Sequence, residues 1–524
     1  MKSNFFKYLF IIFVIGITIF AIFKIKSEEQ EENTSNEESS VQEKITNITL
    51  AVSSFDSLNP ILSQNKNVQD ITKLIYEPLF TISSNYKLEP CLAKEWAKQS
   101  KTSYLIKLQD NVRWSDGEKF VADDVKFTIE ELKKVNSIYT PNVEHITDIE
   151  IVDDYTIKIN LSEEVPFFEY NLIFPIMSSS FYLDKEFSAN IVPVGTGMYE
   201  ITDVQTSYIT LSKNNSWWNI QVKDPIIKTI TVNLYSSVGE MYNSFKTGNI
   251  DIISTDNINL QDYVGTIGYA SKEIKGRRHD FIAFNTQNNF LSRTEVRKAI
   301  SYSIDKTNIV SSIYSNKYYT SSFPLDYESF VYQEQDSSAG YNPDQAKKVL
   351  EDAGWTYRNN YWQKLENGRY QRLSLRLVVK SSDQAKVQVA QNIKQQLETQ
   401  GIRVEVIVAN DVQYNNYLTN KNYDMILCSI NLSLSPDLTT FFGENNLANY
   451  SNQEVTQIMN EIQNETQENV LIEKYKRLAE IYKSEVPYLS LYNNKLTVCY
   501  STGLVGELTP NWYNIFIGIE KWYK

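Results

Sequence analysis

The run Tyr104–Leu132, YLIKLQDNVRWSDGEKFVADDVKFTIEEL, constrains the fold more than any other stretch. Tyr104, Ile106 and Leu108 alternate with Leu105 and Lys107, the pattern of a half-buried strand. Ser115-Asp116-Gly117 follows Trp114 and reads as a tight turn, in which glycine reaches positive φ without Cβ strain. Val125, Ile129 and Leu132 recur at i, i+4 and i+7, which predicts a helix with one buried face. Strand, turn and helix in this order form a framework unit without catalytic chemistry.

A chain of 524 residues exceeds one compact core, so two or more lobes are expected. The net charge of −13 argues against a nucleic-acid partner, which needs a Lys/Arg-rich face, and fits a soluble monomer. Cys91, Cys428 and Cys499 are odd in number and form no CxxC, so they read as small buried hydrophobes rather than a disulfide or zinc framework. His145 and His279 stand alone, so no histidine-rich metal site is expected.

Lys2 and Lys7 precede an apolar run, Tyr8 to Phe23, closed by Lys24 and Lys26. With Phe5 and Phe6 it approaches the ~20 residues that cross a bilayer as a helix. No small-x-small site follows it, so residues 1–26 read as a retained membrane anchor in preference to a cleaved signal, with the remainder on the outer face of the cytoplasmic membrane. Residues 27–44 are rich in Glu, Ser, Asn and Gln and cannot offset their ordering entropy by burial, which predicts a flexible tether.

Folded sequence is expected from about Ile45, with a strand at Ile48 to Val52 and strands again at Asp154 to Leu161, Ile250 to Ile253 and Phe281 to Asn285. Ser292-Arg-Thr-Glu295 reads as a capping box ahead of Val296, Ala299 and Ile300. Asn342-Pro343-Asp344 opens a helix that Gly354 follows. Leu373 to Val379, Ser382 to Gln400 and Val404 to Val408 form a βαβ unit, and Tyr423 to Ile430 is a further strand. No HExxH, GxSxG, GxxxxGK[ST] or strand-linked GxGxxG occurs, so no catalytic residue, metal ligand or cofactor is assigned.

Ordered blocks carry a resemblance. They are Leu58-Asn-Pro60, Ile75-Tyr-Glu-Pro-Leu-Phe80, Trp114-Ser-Asp-Gly117 through Asp124-Val-Lys-Phe-Thr128, Val194-Gly-Thr-Gly-Met-Tyr199, Gly248-Asn-Ile-Asp-Ile-Ile253, Val296-Arg-Lys-Ala-Ile-Ser-Tyr-Ser-Ile-Asp305 and Tyr341-Asn-Pro-Asp-Gln-Ala346. In this order the chain resembles the extracellular solute-binding proteins of family 5, the peptide/nickel receptors of ABC transporters, from about Leu50 to Lys524. The resemblance implies an α/β fold of the periplasmic-binding-protein-like type II, with two lobes, a hinge and a three-domain arrangement with an inserted extra domain. Domain I would combine residues 45–75, 193–280 and 491–524, domain II residues 76–192, and domain III residues 281–490. It implies a receptor that captures a small oligopeptide and delivers it to ABC-transporter permease subunits. A receptor for a nickel chelate, metallophore or other non-peptide solute is the alternative, and a secreted enzyme or chaperone on the same scaffold is the third reading.

A ligand between lobes needs a mostly apolar cleft with a few placed polar groups. The candidates are loops leaving strands near the crossings: Ser53, Ser54 and Phe55; Phe284 and Asn285; and Ser429, Asn431 and Leu432 in the run to Pro436. An ordinary turn is the competing reading at each. The resemblance implies an acid in this last region to meet a ligand's amino group, yet Cys428-Ser-Ile-Asn-Leu-Ser-Leu-Ser-Pro-Asp437 has none before Asp437, which reads as a helix cap. Either the ligand amine stays hydrated, or another acid reaches it, or the ligand has no free amino terminus. Lys275-Gly-Arg-Arg278 reads as a solvated basic turn in preference to a contact for a ligand carboxylate. Relatives often place Thr at the position of Val121, which cannot cap, so Asp123 is expected to start the helix two residues later.

Overall fold

The computed structural model describes residues 46–255, 268–326, 328–333, 340–463 and 465–524. The N-terminal apolar run and the tether lie outside them. Among the described residues no helix is long and apolar enough to cross a membrane.

The Tyr104–Leu132 run folds as its periodicity predicts. Ser103–Leu108 is a strand in a four-stranded antiparallel sheet ordered Ala93–Ser100, Ser103–Leu108, Thr156–Leu161, Ile146–Asp153. Gly117 takes φ +95°, and the Ala122–Leu132 helix buries Val125, Ile129 and Leu132 completely. The helix begins at Ala122 rather than two residues later. Asp124, not Asp123, supplies the cap: its carboxylate accepts Val121 N–H at 2.9 Å, Trp114 Nε1–H at 3.1 Å, and the Ser179 N–H and hydroxyl at 2.8 and 2.7 Å. An acid one turn in can bond back to the first backbone N–H, so a residue without a capping side chain suffices at the boundary. The Ser292 box does not form. The helix there is Thr294–Ser303, and the Ser292 hydroxyl donates to Asn289 O instead.

Among the described residues eleven strands form one mixed sheet. Its order is Arg403–Ala409, Ser374–Lys380, Met425–Asn431, Tyr269–Phe284, Tyr488–Ser501, Ile252–Thr255, Asn47–Val52, Thr229–Leu234, Tyr208–Lys213 and Tyr199–Val204. The short strand Tyr318–Thr320 pairs with Tyr488–Ser501. At one end Ser374–Lys380 lies parallel to both neighbours, as the βαβ pattern predicts; at the other, Asn47–Val52 lies parallel to both of its own. Tyr269–Phe284 and Tyr488–Ser501 belong to both halves and join them.

Hydrophobic clusters follow this division. One surrounds Trp114, Ile129 and Phe174, with Ile61 and Tyr513 reaching in from distant sequence. One lies around Leu50, Ile230 and Val498. Two cover opposite faces of the Ser374–Asn431 half: Ile282 and Phe284 face one, Phe281 and Ala283 the other. This alternation is the two-residue period of a strand buried on both faces.

Candidate functional site

The two joining strands change register where they leave one half for the other. Lys275 pairs with Lys495 and His279 with Asn493, so Gly276, Arg277 and Arg278 stand opposite Asn494 alone. A bulge of this kind bends its strand and re-aims side chains. Asn494 Oδ1 accepts Arg278 N–H at 3.0 Å, and Asn493 Nδ2 donates to Gly276 O at 3.2 Å. A Cβ on Gly276 would stand 2.1 Å from Asn494 Oδ1, so any larger residue must displace the Asn494 amide. The basic run is therefore not a solvated turn but the core of a 16-residue strand.

Arg277 turns to the face of Phe281. Its Nε and Nη2 donate to Leu432 O at 3.1 and 2.6 Å, its Nη1 meets Asp326 at 2.6 Å, and Leu432 N–H returns a bond to Arg277 O at 2.9 Å. The guanidinium lies 5.4 Å from the Tyr86 ring centroid, within cation–π range. Arg277 is 5 % exposed and Asp326 8 %. Burial raises the Asp326 carboxyl and Arg277 opposes it, while burial and Asp326 push up the Tyr86 phenol. The Tyr86 hairpin also accepts Phe330 N–H at Asn85 O, 2.8 Å, and pairs Lys87 with Glu468 at 2.6 Å.

Arg278 and Asp280 turn to the opposite face. Arg278 meets Asp383 at 2.9 Å and Asp280 at 3.7 Å. Asp280 is fully buried, bonded to the Ser429 hydroxyl and 3.5 Å from Lys386. Burial raises its carboxyl, and Lys386, Ser429 and Arg278 oppose that rise. Asp383 accepts Lys386 N–H at 3.1 Å and so caps the Gln384–Thr399 helix. That helix leaves the C-terminal end of Ser374–Lys380. This strand has Arg403–Ala409 on one side and Met425–Asn431 on the other, which makes its end the switch point of the parallel strands. Ligands of open α/β sheets bind outside such ends.

The expected residues divide accordingly. Ser429, Asn431 and Leu432 converge on the bulge. Ser429 bonds Asp280, exposed Asn431 is in register with Arg278, and buried Leu432 gives its backbone to Arg277. Phe284 lies six residues along the strand, about 20 Å away at 3.3 Å per residue. It is fully buried in the core. Asn285 is bonded to Lys421 O and Tyr423 O and accepts from Asn449 Nδ2, all at 3.0–3.2 Å. Ser54 is held in a separate loop by Asn65 Nδ2 at 2.8 Å; Ser53 and Phe55 beside it are half-buried. Asp437 does not cap as expected: Leu438 is the N-cap of the Thr439–Phe442 helix, and Asp437, one residue earlier, accepts Thr439 N–H at 2.9 Å in a local turn. Sequence reasoning placed Arg277 only in a solvated basic turn and passed over Asp280, Asp326 and Asp383. The available signal was a pair of arginines and an aspartate beside a glycine at the head of an apolar strand, and Asn493-Asn494 inside another.

Residues 87–452 match the family model of bacterial extracellular solute-binding proteins, family 5 Middle. The nickel-binding protein NikA of Staphylococcus aureus is 23% identical over 398 residues, covering 74% of this chain and 76% of that protein. The oligopeptide-binding protein AppA of Bacillus subtilis is 20% identical over 498 residues, covering 89% of each. A nickel ABC transporter structure from Bacillus halodurans superposes with a TM-score of 0.75 at 20% identity, covering 92% of this chain and 100% of that one. The mixed α/β fold is that of periplasmic binding proteins. The chain belongs to the bacterial extracellular solute-binding proteins of family 5.

Proposed function

We propose that this chain is the substrate-binding component of an ABC importer on the outer face of the cytoplasmic membrane. It captures a small oligopeptide between two lobes and delivers it to the permease. The observation that carries the reading is the pair of joining strands, whose bulge lies beside the switch point and the Ser429–Pro436 loop. A mobile joint and a ligand site then share the same residues, as hinge closure around a ligand needs. Similarity to an oligopeptide-binding protein along 89% of the chain supports the peptide. Domain I is assigned residues 45–75, 193–280 and 491–524, domain II 76–192, and domain III 281–490. The separate clusters around Trp114, Leu50 and Ile282 support the division. Residues 1–26 anchor the monomer through the 27–44 tether. Ser429 and Asn431 line the site from domain III, and Ser53 to Phe55 face it from domain I.

Thermal melting with a pool of short peptides tests this reading. A rise in melting temperature is expected, and no rise with any pool counts against it. Similarity to a nickel-binding protein favours a second reading, a metal chelate. Among the described residues no group of three His, Cys, Asp or Glu side chains could hold a metal, so such a ligand would bring its own chelator. Native mass spectrometry of freshly purified protein separates the two, since peptide and metal chelate differ in mass and isotope pattern.

A further inference from the structure

Thr356–Arg358, Tyr361–Glu366 and Arg369–Arg372 form a small antiparallel sheet separate from the large one. Two tight turns close it: Asn359-Asn360 at φ +52° and +66°, and Asn367-Gly368 at φ +49° and +74°. Such left-handed pairs suit the twist of a two-residue hairpin. Successive side chains of each strand point to opposite faces. On the inner face Trp362 is buried in the cluster around Ile282 and Phe284. Tyr357 packs against Trp362, the Trp362 indole donates to Gln400 O at 2.7 Å, and Glu366 meets Arg293 at 2.5 Å. The sheet is thus fixed to the molecule by one side. On the outer side the register sets Arg358 beside Tyr361, Arg372 beside Gln363 and Thr356, and Tyr370 beside Leu365. No acidic residue belongs to this face. Leu365 and Tyr370 are 57 % and 53 % exposed, Arg358 and Arg372 are exposed as well, and the Arg372 guanidinium lies 5.5 Å from the Tyr361 ring centroid. Two arginines, two tyrosines and a leucine therefore share one open face in a chain whose net charge is −13.

We propose that this face docks on an anionic lipid bilayer, with its arginines on lipid phosphates and its tyrosine rings and Leu365 in the headgroup layer. The inference goes beyond solute capture and rests on that reading only for the anchor that holds the chain at the membrane. A cationic face without acids calls for an anionic partner. Size favours a bilayer over a protein: strands of three, six and four residues present at most roughly 300 Å² at 4.8 Å between strands and 3.3 Å per residue. A specific protein interface takes about 800 Å² per partner. A bilayer sets no such threshold, because tyrosine settles at the membrane–water boundary and guanidinium pairs with phosphate bidentately. Each arginine near an anionic surface favours contact about fivefold, so two favour it about thirtyfold. That is too little to recruit an acidic chain from solution, and enough to orient one already held at the surface.

The test is hydrogen–deuterium exchange of the full chain with vesicles of phosphatidylcholine alone and with vesicles that also carry phosphatidylglycerol, with flotation in each to read the anchor. The variant is Arg358→Gln/Arg372→Gln, and its melting temperature verifies folding. Exchange in residues 356–372 slowed about fivefold or more on anionic vesicles only, and restored in the variant and in high salt, supports the face. Slowing that persists in the variant overturns recognition by the arginines. Flotation with both vesicles at equal exchange overturns the face and leaves the anchor standing. Slowed exchange on anionic vesicles without flotation on neutral ones supports the face and overturns the anchor. Slowing by soluble polyglutamate but by neither vesicle overturns the bilayer and gives the face to an acidic protein segment. No flotation and no slowing in any arm overturns both face and anchor.

Discussion

Glu77 and His279 are buried ionisable side chains whose environments pull in opposite directions. Glu77 accepts the indole N–H groups of Trp217 and Trp218 at 3.0 and 2.8 Å; burial nevertheless pushes its carboxyl from 4.5 up to about 7. The folded chain therefore holds this proton more tightly than the unfolded chain, and its stability falls as pH rises from 4.5 through 7. His279 sits between Asn493 Oδ1 and Ser490 Oγ at 3.0 and 3.1 Å, and burial pushes its imidazole from 6.5 down to about 4. Here the unfolded chain binds the proton more tightly, so stability falls as pH drops from 6.5 through 4. Each effect is on the order of 3 kcal/mol, and they oppose each other where the windows overlap. In denaturant titrations from pH 4 to 8, Glu77→Gln is expected to give stability that rises toward pH 6.5. His279→Asn is expected to give stability that declines from pH 4.5 to 7. Parallel profiles for the two variants would contradict these assignments.

At the scale of elements, two glycines separate turn chemistry from close approach. Gly117 has φ +95° and nothing within 4 Å of an added Cβ, so Gly117→Val meets only backbone strain, about 1–2 kcal/mol. Its melting temperature should fall while ligand binding by the folded fraction persists; lost binding at unchanged melting temperature would give the turn a role in the site. Gly276→Ala instead displaces the Asn494 amide and leaves Arg278 N–H unpaired, about 1–3 kcal/mol, and it disturbs the bulge itself. It should lower both stability and ligand affinity. Trp-Ser-Asp-Gly and the helix after it were legible because turn, strand and helix are local patterns of two to four residues. The βαβ unit was legible for the same reason. The bulge was not, because a three-against-one register is a relation between residues some 215 positions apart, such as His279 and Asn493. The Ser292 box failed in the converse way: its local spacing was right, but the chain enters the helix at Thr294.

Across the whole molecule, Arg277 ties together segments that only the folded chain assembles: the Tyr86 hairpin, Asp326 and the Leu432 loop. Arg277→Met leaves a buried carboxylate without its cation, and breaking such a pair costs about 3–5 kcal/mol. The loss should shrink as pH falls, because burial raises the Asp326 carboxyl and a protonated Asp326 needs no cation. Arg277→Met/Asp326→Leu should recover much of it; a double variant no more stable than the single one would show that the Leu432 and Tyr86 contacts, not the ion pair, dominate. The family match covers residues 87–452, whereas the central strand Tyr488–Ser501 lies beyond it. That strand sits between Tyr269–Phe284 and Ile252–Thr255, in the middle of the sheet. During synthesis from the N-terminus, the sheet halves therefore present unpaired edges to each other until the final strand leaves the ribosome. A nascent chain that lacks this strand has no complete sheet to lock, and both edges stay open to pairing with other chains.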